Sequence, residues 1–170
     1  SSGPVIVYWP ALVDSKYIKE IVHIGDQEIE IIPTSQMGFE EIYYQREPIK
    51  IQEIEKNDEQ SIYFGDIYGT RSGDKGGCAN LGVWAKNSQS FAFLINYLSV
   101  DKLKELLPDL KDFDIDRYEL ANINSLNFYI HDILQDGVSS NNRKDGQAKS
   151  LGEYLRAKKI NVPKNILEGE

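Results

Sequence analysis

The chain has 170 residues, of which 41% are hydrophobic, so it can bury a core and does not have the composition of a disordered protein. Its formal net charge of −8 argues against nucleic acid and anionic membrane surfaces as partners, because both select basic faces. A small anion can still bind an acidic protein wherever Arg and Lys side chains are concentrated locally.

The first part of the chain, residues 1–57, is predicted to be a strand-rich segment. Residues 17–24 and 28–32 alternate apolar and polar side chains on either side of Gly25, which is typical of a β-hairpin. Further short strands are expected at residues 4–8, 40–44 and 49–54. Residues 56–60 contain no apolar side chain and are predicted to be a linker, which sets the end of this segment.

Residues 58–160 are predicted to form one α+β domain, and residues 161–170 a tail. Ser99 is expected to cap a helix that stops at Pro108. Residues 135–147 are a polar loop that is either functional or mobile. The strands are predicted at residues 61–68, 80–86, 112–120 and 126–134, the last of which could also be helical, and the helices at 91–98, 100–107 and 148–159.

A glycine-rich stretch, residues 69–80, separates the first two strands of this domain. Glycines let successive N–H groups turn toward one point, and such a concavity suits an anion. Arg71 and Lys75 would add full positive charges, and Asp74 could hold one of them or orient a substrate hydroxyl. The alternative is a plain turn between strands with solvated charges.

Three polar residues outside this stretch are candidates for chemistry or for packing. His131 either acts as a general base near neutral pH or is a satisfied imidazole that shares a strand face with Tyr129 and Ile133. Asn127 either offers its amide to a ligand or locks the turn before its strand. His23 is predicted to be structural, and the two separated histidines do not indicate a metal site.

Cys78 is the single cysteine of the sequence and cannot form an internal disulfide, which favours a reducing, cytoplasmic setting. Beside Arg71 or Lys75 its thiol could be a nucleophile, and otherwise it is a small packing residue. No apolar run approaches the ~20 residues of a membrane-spanning helix.

Several short motifs occur together in one order over residues ~61–158. They are Arg71-Ser72-Gly73-Asp74-Lys75-Gly76, Ala79-Asn80-Leu81-Gly82-Val83, Arg117-Tyr118-Glu119-Leu120, Leu126-Asn127-Phe128 with His131, and Ser150-Leu151-Gly152-Glu153-Tyr154-Leu155-Arg156. This order resembles the C-terminal domain of AtuA-type proteins, the acyclic terpene utilisation family. The resemblance implies a ferredoxin-like fold, an antiparallel sheet with helices on one face, and the word describes a shape and not an iron–sulfur cluster. No cofactor is expected.

The resemblance also implies a function in organic acid or acyl-CoA metabolism, as a domain or subunit beside a larger partner or in a homo-oligomer. A lyase or hydratase is the reaction class considered. An anionic ligand or acyl thioester would contact Arg71, Ser72, Gly73, Lys75, Gly76, Asn80 and Asn127, with Asp74 and His131 as catalytic residues. The chain departs from the family pattern at Gly77 and Cys78 and in the longer loop after Leu134. The alternative is a non-catalytic assembly module.

Overall fold

The computed structural model describes residues 11–31, 58–139 and 141–167. These residues belong to two compact units, one containing residues 11–31 and the other residues 58–167. The short strands predicted at residues 4–8, 40–44 and 49–54 lie outside the described residues.

The first unit contains a β-hairpin, as predicted. Strands β1 (Glu20–Ile24) and β2 (Gln27–Ile31) pair antiparallel, and Gly25 in the turn has a φ of 61°. A 3₁₀ turn, Ser15–Tyr17, precedes them. His23 is exposed and lies opposite Glu28, with 3.4 Å between Nδ1 and Oε1. It is therefore a solvated cross-strand partner and not an apolar packing residue.

The second unit is built on a four-stranded antiparallel sheet. Its strands are β4 (Tyr68–Lys75), β5 (Cys78–Ala85), β6 (Ile115–Leu120) and β7 (Ser125–Ile130), in the spatial order β4-β5-β7-β6. Two further strands, β3 (Glu59–Tyr63) and β8 (Lys159–Pro163), form a separate antiparallel pair.

Five helices accompany these strands. They are α1 (Phe64–Ile67), α2 (Ser88–Tyr97), α3 (Val100–Leu106), α4 (Leu151–Arg156) and α5 (Lys164–Leu167), with 3₁₀ turns at Pro108–Leu110 and Ala121–Ile123. Along the chain, the sheet strands and the helices α2 and α4 follow one another as β4-β5-α2-β6-β7-α4. If the order is started at β7 and continued from β4, it becomes β7-α4-β4-β5-α2-β6, which is the βαββαβ order of a ferredoxin-like fold. The predicted α+β, ferredoxin-like architecture is confirmed.

The core lies on one side of the four-stranded sheet. Alternate residues of its central strands, such as Leu81, Val83 and Phe128, point to this side and have no exposed surface. They pack in one cluster with Leu94 of α2 and Leu155 of α4. The helices therefore cover this face of the sheet. Burying each side chain of this size contributes about 1.5–3 kcal/mol.

The glycine-rich stretch is not a loop, which corrects the sequence-based expectation. Its first seven residues belong to β4, its last three belong to β5, and only Gly76 and Gly77 form the turn between them. The strand register pairs Arg71 with Gly82 and Ser72 with Leu81. Pairing with β5 overrides the low strand propensity of Gly and Asp in this segment.

Several predicted element ends are also corrected. The strand predicted at residues 61–68 stops at Tyr63, whose N–H donates to Asp66 Oδ2 at 2.8 Å and starts α1. The strand predicted at residues 126–134 stops at Ile130. Ser99 caps α3 as expected, by accepting from the N–H of Lys102 at 3.1 Å. Asn87 caps α2, by accepting from the N–H of Ser90 at 2.8 Å.

Residues 161–167, which were predicted to belong to a tail, take part in the fold. Residues 159–163 form β8 beside β3, and the side chains of Val162 and Ile166 are buried. These two side chains join the same hydrophobic cluster as the sheet. Apolar packing therefore continues beyond the predicted end of the domain at residue 160.

The polar segment after β7 is held by its own hydrogen bonds. Asn141 Nδ2 donates to the carbonyl oxygens of Gly137 and Gly146, at 2.8 and 3.1 Å. Asp145 accepts from the N–H of Lys149 at 2.9 Å and from Ser150, at 2.9 Å from N and 2.7 Å from Oγ. Helix α4 thus begins at Leu151, not at the predicted residue 148.

These contacts lead to a pH-dependent prediction. Burial alone would raise the pKa of Asp145, but the hydrogen bonds from Ser150 and Lys149 outweigh burial and lower it. A lowered pKa stabilises the fold above the unfolded-state value near ~4, and that stabilisation is lost as pH falls through the folded-state pKa. We expect Asp145→Asn to lower the free energy of unfolding by about 1 kcal/mol at pH 7, because a neutral amide cannot replace the charge-assisted hydrogen bonds that both carboxylate oxygens accept.

Urea unfolding at several pH values measures this difference. The difference in the free energy of unfolding between the parent chain and Asp145→Asn should become smaller below pH ~4. Asp136→Asn, a change in the same segment at an exposed carboxylate, serves as the control and should have little effect. If this difference in the free energy of unfolding stays constant from neutral to acid pH, the ionised carboxylate of Asp145 does not stabilise the fold.

Candidate functional site

The side of the four-stranded sheet opposite the helices carries most of the residues that the sequence singled out. We call this side the open face. The strand register places on it Arg71 and Lys75 of β4, Cys78, Asn80 and Trp84 of β5, Asp116 and Tyr118 of β6, and Asn127 and Tyr129 of β7. Trp84 and Tyr118 are 43% and 52% exposed. The face is polar with aromatic side chains between the polar groups.

A pair of amides lies in the middle of the open face. Asn80 Nδ2 donates to Asn127 Oδ1 at 3.4 Å, and both residues are partly buried. Because Asn80 lies on β5 and Asn127 on β7, the two central strands each supply one amide. The remaining donor and acceptor positions of these amides are available to a polar ligand.

Two cations lie on β4 beside this amide pair. Arg71 and Lys75 are both exposed, and Lys75 Nζ donates to the carbonyl oxygen of Asp74 at 3.1 Å. Four residues of strand separate their Cα atoms by about 13 Å. They can therefore bind different parts of an extended anionic ligand more readily than one small ion.

A histidine–carboxylate pair lies at the end of β7. His131 Nε2 is 2.8 Å from Asp116 Oδ2, and its ring meets the ring of Tyr129 edge-on at 4.9 Å. The N–H of His131 donates to the carbonyl oxygen of Asp114 at 2.9 Å, which fixes the backbone at this point. A carboxylate that orients an imidazole in this way suits the imidazole to general acid–base chemistry.

Cys78 lies close to this pair. The N–H of Asp132 donates to its Sγ at 3.5 Å, and a hydrogen bond with the Cys78 side chain raises the pKa of Tyr129. The thiol is partly exposed and belongs to the polar face, so Cys78 is not a core packing residue.

Two of the predicted site residues point to the other side of the sheet. Ser72 is 6% exposed, donates to the carbonyl oxygen of Lys149 at 3.1 Å and accepts from the N–H of Gly152 at 3.0 Å. Asp74 Oδ1 is 3.7 Å from Lys149 Nζ. Both side chains connect β4 to the segment that leads into α4. Asp74 and His131 therefore lie on opposite faces and are not brought together.

Gly73 and Gly76, which were predicted to contact the ligand, occupy positions that the backbone of the β4–β5 hairpin requires. Gly73 lies within β4, where a Cβ would come 3.0 Å from Lys149 Nζ. Gly76 has a φ of 64°, which a tight hairpin turn requires. Since β4 pairs along its whole length with β5, the predicted concavity of converging N–H groups does not form. The anion contacts of this region would have to come from side chains.

Sequence reasoning missed Asp116, Tyr118, Tyr129 and Trp84 as members of this face. The alternating Asp112, Asp114 and Asp116 indicated only a solvated strand. The signal that could have found Tyr118 and Tyr129 is the period of two along β6 and β7, which puts both on the same side as Asn127. The same period along β5 puts Trp84 on the side of Asn80.

Comparison with known proteins gives one match. The sequence model of the AtuA ferredoxin-like domain matches residues 62–161, which is more than half of the chain. No curated protein matches, and neither does any solved structure.

Within residues 11–31, 58–139 and 141–167, no group of three or more His, Cys, Asp or Glu side chains is placed to hold a metal ion. None of the helices described for this chain has the length and apolar character needed to span a bilayer.

Proposed function

Because the chain belongs to the AtuA ferredoxin-like domain family, we propose that it is a small domain or subunit of an enzyme system acting on organic acids or acyl-CoA thioesters. Its open face would contact the anionic group of the substrate. One observation carries this proposal: Arg71, Lys75, Asn80, Asn127 and His131, five residues with predicted ligand or catalytic roles, share one face of the sheet.

The side chains of the open face suit an acid or a thioester with phosphates. Arg71 can bind a carboxylate or phosphate with two parallel hydrogen bonds, and Lys75 adds a point charge. The amides of Asn80 and Asn127 can donate to a carbonyl oxygen and polarise it. The protein has a net charge of −8, and Arg71 and Lys75 place positive charge on the open face in spite of it.

His131 would act as the general acid or base, with Asp116 as the residue that positions its ring. The open face is a sheet surface and does not enclose a ligand. We therefore infer that a larger subunit, another domain or a second copy covers the substrate and excludes water from it. The single cysteine supports a reducing, cytoplasmic setting for this system.

Calorimetric titration with acetyl-CoA and with succinate tests the proposal. We expect Arg71→Gln and Lys75→Gln each to weaken binding of acetyl-CoA by roughly tenfold, the effect of one lost charge-assisted hydrogen bond. Thermal stability should stay nearly unchanged, because both side chains are exposed. Lys111→Gln removes the same charge from an exposed position between α3 and β6 and is the matched control.

Two results would contradict the ligand proposal. One is the absence of heat of binding with either compound. The other is equal affinity in the Arg71→Gln, Lys75→Gln and Lys111→Gln variants, which would show that general charge and not the open face attracts the ligand.

The alternative function is a non-catalytic assembly module. The observation that favours it is the exposure of Trp84 and Tyr118 on the open face, because Trp and Tyr are enriched where protein interfaces carry their binding energy. Sedimentation equilibrium separates the two functions. A monomer that binds acetyl-CoA supports the first, and an obligate oligomer with Arg71 and Lys75 buried between copies supports the second.

A further inference from the structure

The charges of the open face are divided between its two edges. Strand β4 forms one edge and carries Arg71 and Lys75, whereas β6 forms the opposite edge and carries Asp116, with Asp114 two residues before it. The central strands β5 and β7 contain no charged residue. A face with cations along one edge and carboxylates along the other is complementary to a second copy of itself.

We propose that the open face packs against the open face of a second copy of the chain, around a two-fold axis that lies in the interface and runs parallel to the strands. This axis places β4 of each copy over β6 of the other copy. A two-fold axis across the strands would instead place β4 over β4 and bring like charges together, which is unfavourable. The proposal rests on the proposed function, because it names the partner that covers that site.

The strand register identifies the residues that meet in this packing. One row across the four strands consists of Arg71, Gly82, Asn127 and Tyr118. The two-fold axis lays this row over itself in reverse, so Arg71 of one copy faces Tyr118 of the other, and a guanidinium over a ring is a favourable contact. A Cβ at Gly82 would meet only the carbonyl oxygen of Arg71, at 3.6 Å, so the middle of the row has space for a ligand.

A second row brings Lys75 of one copy opposite Asp114 of the other. Lys75 pairs with Cys78, and Cys78 and His131 lie one residue beyond the last pair of β5 with β7. The carbonyl oxygen of Asp114 accepts from the N–H of His131 at 2.9 Å, which adds Asp114 to the row. Within one chain three strand spacings, about 14 Å, separate Lys75 from Asp114, so the two exposed side chains pair only between copies.

The same packing completes the site that was assigned to the open face. Within one chain the cations of β4 lie two strand spacings, about 10 Å, from His131, and side chains on one face point in the same direction and do not converge. Between copies, Arg71 and Lys75 of one chain face His131 and Asp116 of the other. Each of the two symmetric sites therefore combines the anion-binding side chains of one copy with the acid–base pair of the other.

The area of the face suits a dimer that dissociates on dilution. Four strands of six to eight residues make a face of roughly 19 by 24 Å. Two such faces bury roughly 1,000 Å² in total, the lower end of the range for specific interfaces. The exposed Trp84 and Tyr118 belong to the residue types that carry binding energy at interfaces. We expect a dissociation constant on the order of micromolar.

Sedimentation equilibrium of the full chain over a range of concentrations, without ligand, tests the proposal. The parent chain should form a dimer. Lys75→Glu and Asp114→Lys should each raise the dissociation constant of the dimer at least about tenfold, because each variant faces like charges across both symmetric contacts. An equimolar mixture of the two variants should dimerise as the parent does, because both contacts of the mixed dimer then join opposite charges. Lys111→Glu reverses an exposed charge outside the open face and should have no effect.

Three results would overturn the dimer: a parent chain that stays monomeric at every concentration, equal weakening by Lys75→Glu and Lys111→Glu, or a mixture that associates no better than its separate variants. Thermal unfolding checks that each variant is folded. The outcome is separable from that of the proposed function. A monomer that binds acetyl-CoA refutes the dimer alone, whereas a dimer that follows this pattern of variants but binds no acetyl-CoA supports the packing and refutes the ligand.

Discussion

Arg117→Met should lower the free energy of unfolding by about 2–4 kcal/mol, from the loss of two charge-assisted hydrogen bonds. Arg117 Nε donates to the carbonyl oxygen of Leu98 at 3.1 Å, and Nη2 donates to that of Ile95 at 2.8 Å. Both carbonyls belong to the C-terminal end of α2, where the helix itself supplies no donors and a cation is favoured.

The position of Arg117 explains why the effect should be on stability and not on ligand binding. The register puts it opposite Phe128, on the helix-covered side of the sheet, and its side chain is only 19% exposed. Nη1 also lies 2.6 Å from Glu119 Oε1. The guanidinium therefore fastens α2 to the edge strand β6.

Urea unfolding measures the loss, and two variants calibrate it. Arg117→Lys keeps the charge but not the planar fork, so it should recover only part of the stability. Lys111→Met removes a cation that is 72% exposed and should change stability by about 0.5 kcal/mol or less. Equal losses in Arg117→Met and Lys111→Met would disprove the role assigned to Arg117.

Gly77→Ala is expected to destabilise the chain by about 3 kcal/mol, the upper part of the range for forcing an extra methyl into a packed site. A Cβ at Gly77 would collide with the backbone carbonyl oxygen of Gln135. Backbone cannot rotate away as a side chain can. The carbonyl oxygen of Gly77 also accepts from the N–H of Leu134 at 2.8 Å, so the turn is held against this segment.

The neighbouring Gly76 is the matched comparison. It has a φ of 64°, but nothing lies within 4 Å of its Cβ position. Gly76→Ala should therefore cost only the left-handed backbone term, about 1 kcal/mol. Thermal unfolding of the two variants side by side compares the two losses of stability. A larger loss in Gly76→Ala than in Gly77→Ala would show that the contact of Gly77 with the Gln135 carbonyl does not limit this turn.

The fold could be predicted because the residues that indicate it lie close together in the sequence or form short motifs in a fixed order along the chain. Ser99 and Pro108 mark the ends of α3, and Gly25 marks the first hairpin. Several short motifs in one order indicated the ferredoxin-like domain, and the family match confirms it. None of these signals requires knowledge of which strands become neighbours.

The geometry of the glycine-rich stretch was not predictable from its composition. Gly and Asp disfavour strands, but pairing with β5 and the contacts of Ser72 with Gly152 decide the conformation. Once the segment is a strand, adjacent residues point to opposite faces. That alternation separates Asp74 from Arg71 and Lys75, which the sequence had grouped as one site.

The histidine–carboxylate pair depends on strand register. Asp116 and His131 are fifteen residues apart and meet because β6 and β7 pair antiparallel, with Asp116 opposite Tyr129. A shift of one residue would move Asp116 to the helix-covered face. Register comes from the packing of the whole sheet, so no local pattern of residues indicates this contact.

The proposed function requires that the ligand binds to the open face and not to the helix-covered face. NMR mapping of backbone amide chemical shifts during titration with acetyl-CoA distinguishes the two faces. We expect the largest shift changes at Arg71, Lys75, Asn80, Asn127 and His131. Shift changes confined to α2, α3 and α4, with those five amides unmoved at saturation, would rule out binding at the open face.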